Sequence, residues 1–418
     1  MKLEDNDGYS NILLDKELSR QDFTAQERSF ASTLFYGVIE RKLTLDFYIS
    51  KLSKIRIKKL DTDVLMILRM GIYQILYMNS VPDSAAVNES VKLSKKNKRA
   101  KTSGFVNGIL RSFIRERQSI KLPTEKTERL SVLYSCPKWL VKKLTNEYGE
   151  QNAIDFLESS LAPSEVVLKT NTTRTSADGL IKSLLSEGVE ATPCEFDNNA
   201  IKAKGSIFKT SAYKQGLFHA QDYSSQYAVK ILDPKPNDRV LDICSAPGGK
   251  AFTAAEIMQN KGELVACELY EQRAALIKSG AERLGLDIID VRVNDALKFN
   301  SELGVFDKVL CDVPCSGFGV IKRKPEIKYK SLQSVNELPP TQLEILRVTS
   351  GYVKRGGRLV YSTCTLNRAE NEEVVLKFLE QNPEFSADRI FDGEWCKTIF
   401  PKDFGSDGFF ISVLKRID

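Results

Sequence analysis

The 418-residue chain contains one histidine, His219. A Ser-His-Asp or Cys-His relay would hang on that single imidazole, and a zinc site could recruit no second one. The chemistry left to the chain is that of carboxylates, cysteines, lysines and backbone groups. Tryptophan is nearly as scarce, and Trp139 and Trp395 carry no signal beyond packing. No apolar run approaches the roughly 18–20 residues that span a bilayer. The opening MKLEDNDGYS has acids where a secretory or transit segment would have an apolar core or arginines. Eight cysteines lie irregularly at 136, 194, 244, 267, 311, 315, 364 and 396, a poor pattern for a secreted disulfide framework. These absences predict a cytoplasmic protein with no membrane and no metal. Hydrophobic residues at 42% and charged residues at 28% exclude wholesale disorder.

Charge is unevenly spread. Residues 1–130 hold 24 Lys+Arg against 16 Asp+Glu, and residues 131–418 hold 37 against 39. A basic N-terminal part on a nearly neutral remainder suits a polyanion, nucleic acid more than membrane; a solvated helical face would look similar from charge alone.

Residues 1–130 read as helix after helix. Apolar residues recur at helical spacing over 29–52 and 63–78, and the basic run KLSKKNKRAK occupies 92–101. Residues 131–215 begin with a helix over 138–160. They continue with strands EVVLKTN, VEATPCEF and AIKAKG around the helix ADGLIKSLLSEG, predicting a small α+β connector. From 216 to 418 strand and helix alternate, the signature of an open, mostly parallel sheet. RVLDIC, GELVACEL, IDVRVNDA, FDKVLCDVPC and GGRLVYSTCT supply five strands, and FFISVLKRID reads as an antiparallel edge strand.

In such a sheet ligands bind beyond the carboxyl ends of the strands. The first strand runs into Cys244, Ser245, Ala246, Pro247, Gly248, Gly249 and Lys250. The glycines let backbone approach a ligand, and Lys250 adds positive charge. Glu268 ends the second strand, 19 residues after Gly249, where an acid can grip both hydroxyls of a ribose. Asp295 ends the third, within reach of an adenine amino group, and Asp312 ends the fourth. The spacing A-P-G-G-K is not the G-x-G-x-x-G that cradles a pyrophosphate. An adenosyl ligand without phosphates, S-adenosylmethionine, fits better than NAD.

Cys315 in Asp312-Val313-Pro314-Cys315-Ser316-Gly317 and Cys364 in Ser362-Thr363-Cys364-Thr365 follow strands expected to be neighbours. Each could be a buried structural thiol or half of a redox pair. A more specific chemistry is open to them. A thiolate adding at C6 of cytosine makes C5 an enamine able to attack a methyl sulfonium, and an acid at N3 absorbs the developing charge. Two cysteines and an aspartate beside an adenosyl pocket supply most of that list, and none of it needs histidine.

The twelve residues Phe306 to Gly317, FDKVLCDVPCSG, resemble the signature of the Sun (NOL1/NOP2/Sun) family of RNA cytosine-5 methyltransferases. Gly319–Lys328, Gln221–Gln226 and Asp407–Phe410 resemble the bacterial members that methylate one cytosine of 16S rRNA. Pro82–Glu89 and Val106–Arg111 are similar to a NusB-like RNA-binding helical domain. The resemblance implies three parts. They are an all-α NusB-like domain over 1–130, a small RNA-recognition-like connector over 131–215, and a Rossmann-like class I methyltransferase domain over 216–418. It implies Cys364 as nucleophile, Cys315 as the thiol assisting product release, and Asp312 serving cofactor, catalysis or both. The adenosyl contacts it implies are Cys244 to Lys250, Glu268, Asp295 and Asp312. It implies 16S rRNA as partner, with cytosine 967 in the reference numbering as the base, and no obligatory protein partner. The basic loop Lys322, Arg323, Lys324, Lys328 and Lys330 is predicted to hold RNA phosphates. His219 is expected to position or pack rather than to exchange protons.

Overall fold

The computed structural model describes residues 10–20, 22–96, 102–163 and 165–418. Residues 97–101, the second half of the basic run, lie outside the described residues. The chain divides into two compact units, one of 1–161 with 323–329, the other of 162–322 with 330–418.

The first unit is helical: α1 (Ser10–Leu18), α2 (Ala25–Glu40), α3 (Lys42–Leu52), α4 (Thr62–Tyr77), α5 (Asp83–Lys96), α6 (Ser103–Glu116), α7 (Lys126–Leu133), α8 (Lys138–Tyr148) and α9 (Glu150–Ser159). Helix α2 starts at a capping box, in which Thr24 Oγ1 accepts from Glu27 N and Glu27 Oε2 accepts from Thr24 N. The helical periodicity of 29–52 is interrupted once, at Arg41, whose φ of −102° and ψ of 12° separate α2 from α3. Leu45 and Ile49 of α3, Val64, Ile67, Leu68 and Ile72 of α4, and Val106, Leu110 and Phe113 of α6 fill one core. The Arg69 guanidinium bonds both oxygens of Asp46 at 2.7 and 2.8 Å, locking α4 to α3. Thr44 donates to the Val132 carbonyl at 2.6 Å, so α7 packs with this unit.

The second unit opens with a four-stranded antiparallel sheet ordered β2–β3–β1–β4: β1 (Val166–Thr170), β2 (Glu190–Cys194), β3 (Asp197–Lys204) and β4 (Phe218–Ala220). Helix α10 (Ala177–Ser186) packs on it through Leu180 and Leu184. Strand β4 is only three residues long, too short to show a period, and it completes the sheet beyond the three strands legible in sequence.

The large sheet is ordered β10–β12–β9–β8–β5–β6–β7, with β11 on β12. Its strands are β5 (Arg239–Asp242), β6 (Glu263–Glu268), β7 (Ile289–Val293), β8 (Phe306–Asp312), β9 (Val353–Thr363), β10 (Phe385–Ala387), β11 (Cys396–Ile399) and β12 (Phe409–Arg416). Pairing is parallel from β9 through β8, β5 and β6 to β7. It is antiparallel where β12 meets β9, β10 and β11. Strand β12 is therefore antiparallel as expected, but it is an inner strand and not an edge. Alternate residues serve opposite faces: Leu241 and Val309 join one apolar core, Val240 and Leu310 the other. Successive strands run outward from β5 in both directions, which opens a crevice at the carboxyl ends of β5 and β8.

Candidate active site

Strand β5 delivers Asp242 to the crevice, and the following loop is tied down at each end. Ser245 N donates to Cys267 O at 2.8 Å and Gly248 N to Ser245 O at 2.8 Å. Gly248 has a φ of +109°, and a Cβ there would fall 2.4 Å from the Phe252 ring, so only glycine suits the turn into helix α11 (Gly249–Ile257). Lys250, in the first turn of that helix, donates to Asp312 Oδ2 at 2.8 Å across the crevice. Ser362, at the end of β9, donates to Asp312 Oδ1 at 2.7 Å. Burial alone would lower the Lys250 pKa, but the Asp312 carboxylate outweighs it and raises the value. Asp242 is buried below this pair. Desolvation first, then the Asp312 charge, pushes its pKa up to about 7, and the Lys250 ammonium offsets this only in part.

Glu268 closes β6 almost fully buried; its Oε1 accepts from Arg273 Nη1 at 3.2 Å and from Tyr270 N at 3.3 Å. Arg273 also donates to Ala246 O at 3.1 Å, joining the acid to the glycine loop. Asp295 lies two residues beyond β7, where the Leu297 amide and the Lys298 ammonium hold its carboxyl below the usual range. Leu269, Tyr270 and Val293 leave apolar side chains exposed near these two strand ends.

The two candidate thiols meet. Cys315 follows β8 and Cys364 follows the neighbouring β9, and their sulfurs are 3.3 Å apart. The hydrogen bond shared with Cys315 draws the Cys364 pKa down, against its burial and the Asp312 charge and with help from Lys250. The same contact, together with burial, pushes Cys315 well up. Of the two sulfurs, Cys364 is the one biased toward the thiolate.

Four residues not singled out by sequence, Glu370, Gln342, Asn367 and Asn371, hold this geometry. Glu370 is fully buried; its carboxylate accepts from Ser316 N at 2.7 Å, Gln342 Nε2 at 2.9 Å and Asn367 Nδ2 at 2.7 Å. Gln342 also donates to Pro314 O at 2.9 Å, and Asn371 donates to Thr365 O at 3.0 Å. Ser316 and Thr365, the residues after each cysteine, pair their hydroxyls at 2.7 Å. Their spacing in the chain gives no motif, and only burial of so many polar groups marks them.

His219 is buried, as expected. Its Nδ1 lies 3.3 Å from Glu256, which also pairs with the buried Lys169 at 3.2 Å. Gln221 accepts from Thr253 at 2.5 Å and packs against the first residue of α11, so this network steadies the helix that carries Lys250.

The basic loop divides. Lys322 is half-buried, and Arg323 and Lys324 are exposed. Lys330 donates to Ser316 O at 3.0 Å, beside the thiols. Lys328 does not face solvent at all, and its expected contact with phosphate is withdrawn. It is fully buried in the helical unit, donating to Glu40 O at 2.7 Å, while Tyr329 donates to Ile39 O at 2.9 Å. Both carbonyls lie at the end of α2: the buried ammonium completes Glu40 O, and Ile39 O takes the tyrosine hydroxyl beside the Arg41 amide.

Residues 229–415 match the family described as 16S rRNA methyltransferase RsmB/F, 1–115 the NusB family, and 136–207 the ferredoxin-like domain of RsmF/B-like methyltransferases. The Bacillus subtilis (strain 168) "Probable ribosomal RNA small subunit methyltransferase B" is 37% identical over 432 residues, covering 100% of this chain and 96% of that protein. The chain belongs to the RsmB/F methyltransferase family. The ribosomal RNA small subunit methyltransferase B of Escherichia coli O17:K52:H18 is 29% identical, over 99% of this chain and 95% of that protein. The crystal structure titled PH0851 superposes with a TM-score of 0.81 at 26% identity, over 95% of this chain and 92% of that one. NSun6 from Pyrococcus horikoshii, solved with SFG, shares the fold at a TM-score of 0.63 and 21% identity, over 68% of this chain and 100% of that one. The chain thus carries a NusB domain, a ferredoxin-like connector and a C-terminal methyltransferase domain.

Proposed function

We propose that the protein is an S-adenosylmethionine-dependent methyltransferase that modifies C5 of one cytosine in 16S rRNA, position 967 in the reference numbering. The observation that carries this reading is the 3.3 Å sulfur pair set beside the Lys250–Asp312 bridge. The residues fit the cofactor. Cys244 to Lys250 form a close-approach loop, Glu268 presents a buried carboxylate suited to ribose hydroxyls, and Asp295 and Asp312 close the set. When bound, S-adenosylmethionine supplies an electrophilic methyl group.

The chain's own residues do the rest. Cys364, as thiolate, adds to C6 of the pyrimidine and turns C5 into an enamine carbon. Asp312, as the carboxylic acid, donates a hydrogen bond to N3 and so absorbs the negative charge that addition places there. Cys315 assists elimination: the C5 proton passes to solvent, its electron pair re-forms the C5–C6 double bond, and Cys364 leaves C6 as thiolate. A cytosine paired in a duplex must be unstacked before a thiol reaches C6, which favours a loop or bulge as target. Residues 1–130 would serve as the RNA-binding domain and 131–215 as the connector to the catalytic domain 216–418. Lys322, Arg323 and Lys324 would contact RNA phosphates.

The test is methylation of unmodified 16S rRNA followed by bisulfite mapping, with Cys364→Ala as control. One cytosine protected only by the unsubstituted chain is the expected result. No protected cytosine, or protection that survives Cys364→Ala, would overturn it.

A further inference from the structure

Between α3 and α4 the chain reads KLSKIRIKK over 51–59, five cations with no acid. The turn is held rigidly. Ser53 Oγ donates to Ile55 O at 2.9 Å and accepts from Ile55 N at 3.0 Å. Lys59 N donates to Arg56 O at 2.8 Å and Leu60 N to Ile57 O at 3.1 Å. Leu52, Ile57 and Leu60 pack against the helical core, and the Asp46–Arg69 fork joins the two flanking helices. Between these anchors Lys51, Lys54, Arg56, Lys58 and Lys59 are all exposed.

Some surface cations of this unit have partners: Lys92 pairs with Glu89, Arg115 with Glu116 and Lys126 with Glu150. Among the described residues Lys54, Arg56, Lys58 and Lys59 have no ion pair. Four like charges presented by one short, fixed turn repel one another, and no ion pair offsets them. An external polyanion would relieve that repulsion. Three of the four are lysines, point charges that accept phosphate oxygens from many directions and impose no base pattern. Ile55, 44% exposed, is the only large apolar side chain among them, too little for a membrane surface.

We propose that the turn 51–59 is a docking surface for the phosphate backbone of RNA, positioning the substrate without reading its sequence. The proposal rests on rRNA being the substrate.

The test uses the full chain carrying Lys54→Gln, Arg56→Gln, Lys58→Gln and Lys59→Gln together, with transcribed 16S rRNA as probe across a salt series. Each lost phosphate contact lowers the slope of log affinity against log salt by about 0.7–0.9, so the four together should lower it by about 3. Affinity at low salt should fall on the order of tenfold or more, with the loss appearing in KM for rRNA and not in kcat. A second variant, Lys54→Arg, Lys58→Arg and Lys59→Arg, keeps the charge and should keep the slope. Thermal unfolding checks that the glutamine variant remains folded; if it does not, the arginine variant paired with single glutamine changes, each expected to lower the slope by about one, decides the matter. An unchanged slope in the folded glutamine variant would overturn the proposal. So would poly-glutamate competing as well as rRNA, which would make the turn a site for an acidic protein. Methyl incorporation by the unsubstituted chain is scored separately. Salt-dependent rRNA binding lost on substitution, without any methylated cytosine, would sink the reading of the active site and leave the docking surface standing.

Discussion

The Glu370 carboxylate accepts a 2.7 Å hydrogen bond from the Ser316 amide, 54 residues away in the chain. That bond fixes the turn just after Cys315, and the backbone of Glu370 is itself held by the Tyr361 hydroxyl at 2.6 Å. The acid is thus a brace between the two cysteine loops, with no exposure of its own to solvent.

Replacing it with alanine leaves three buried donors, on Ser316, Gln342 and Asn367, without an acceptor. The expected loss of stability is about 3 kcal/mol or more, measured by urea unfolding of the full chain. Turnover should fall in the fraction that remains folded. A loss under about 1 kcal/mol would show that water replaces the carboxylate without penalty.

The sulfur pair predicts an order of reaction. With its pKa drawn down by the Cys315 thiol, Cys364 should be alkylated by iodoacetamide at neutral pH before Cys315, whose value is pushed up. Since the thiolate is the reactive form, Cys315→Ala removes the donor and should move the alkylation profile of Cys364 to higher pH. The shift should be alkaline, because a hydrogen bond to the charged sulfur is lost. Mass spectrometry of the labelled peptides reads both. Earlier labelling of Cys315 would reverse the assignment.

Lys328 gives a stability signature. Burial pushes its pKa down to about 8 from an ordinary 10.5, so between those values the unfolded chain binds the extra proton. Stability contributed by this residue therefore rises with pH from about 8 and is fully gained near 10.5, by on the order of 3 kcal/mol. Buried Cys136, pushed up to about 12, acts in the opposite direction over much of that range, so the comparison of interest is with Lys328→Met. The difference in unfolding free energy between the two proteins should change steadily across the window. A constant difference would mean that the ammonium is not desolvated.

Much of the site was legible because it sits where chain chemistry and sheet geometry coincide. Residues that end parallel strands must face the crevice, so Gly248, Lys250, Glu268, Asp312, Cys315 and Cys364 could be located from the alternation of strands alone. Glu370, Gln342 and Asn371 could not, because they act through hydrogen bonds inside the fold. Lys328 misled for a related reason. In a run of lysines it reads as solvated, and its partner Glu40 is 288 residues distant. Strand β12 became interior because β10 and β11, three and four residues long, are too brief to announce themselves.

The excursion of residues 323–329 into the helical unit also bears on how such a chain could be shortened, in the laboratory or by descent. Cutting after residue 161 would free the catalytic portion of its helices but not of the seven residues that pack with them. Lys328 and Tyr329 would then face water, stripped of the two carbonyls that end α2. A shortened relative must therefore change two distant stretches of its gene together. An engineer who wants the catalytic portion alone should redraw 323–329 as a polar turn before making the cut.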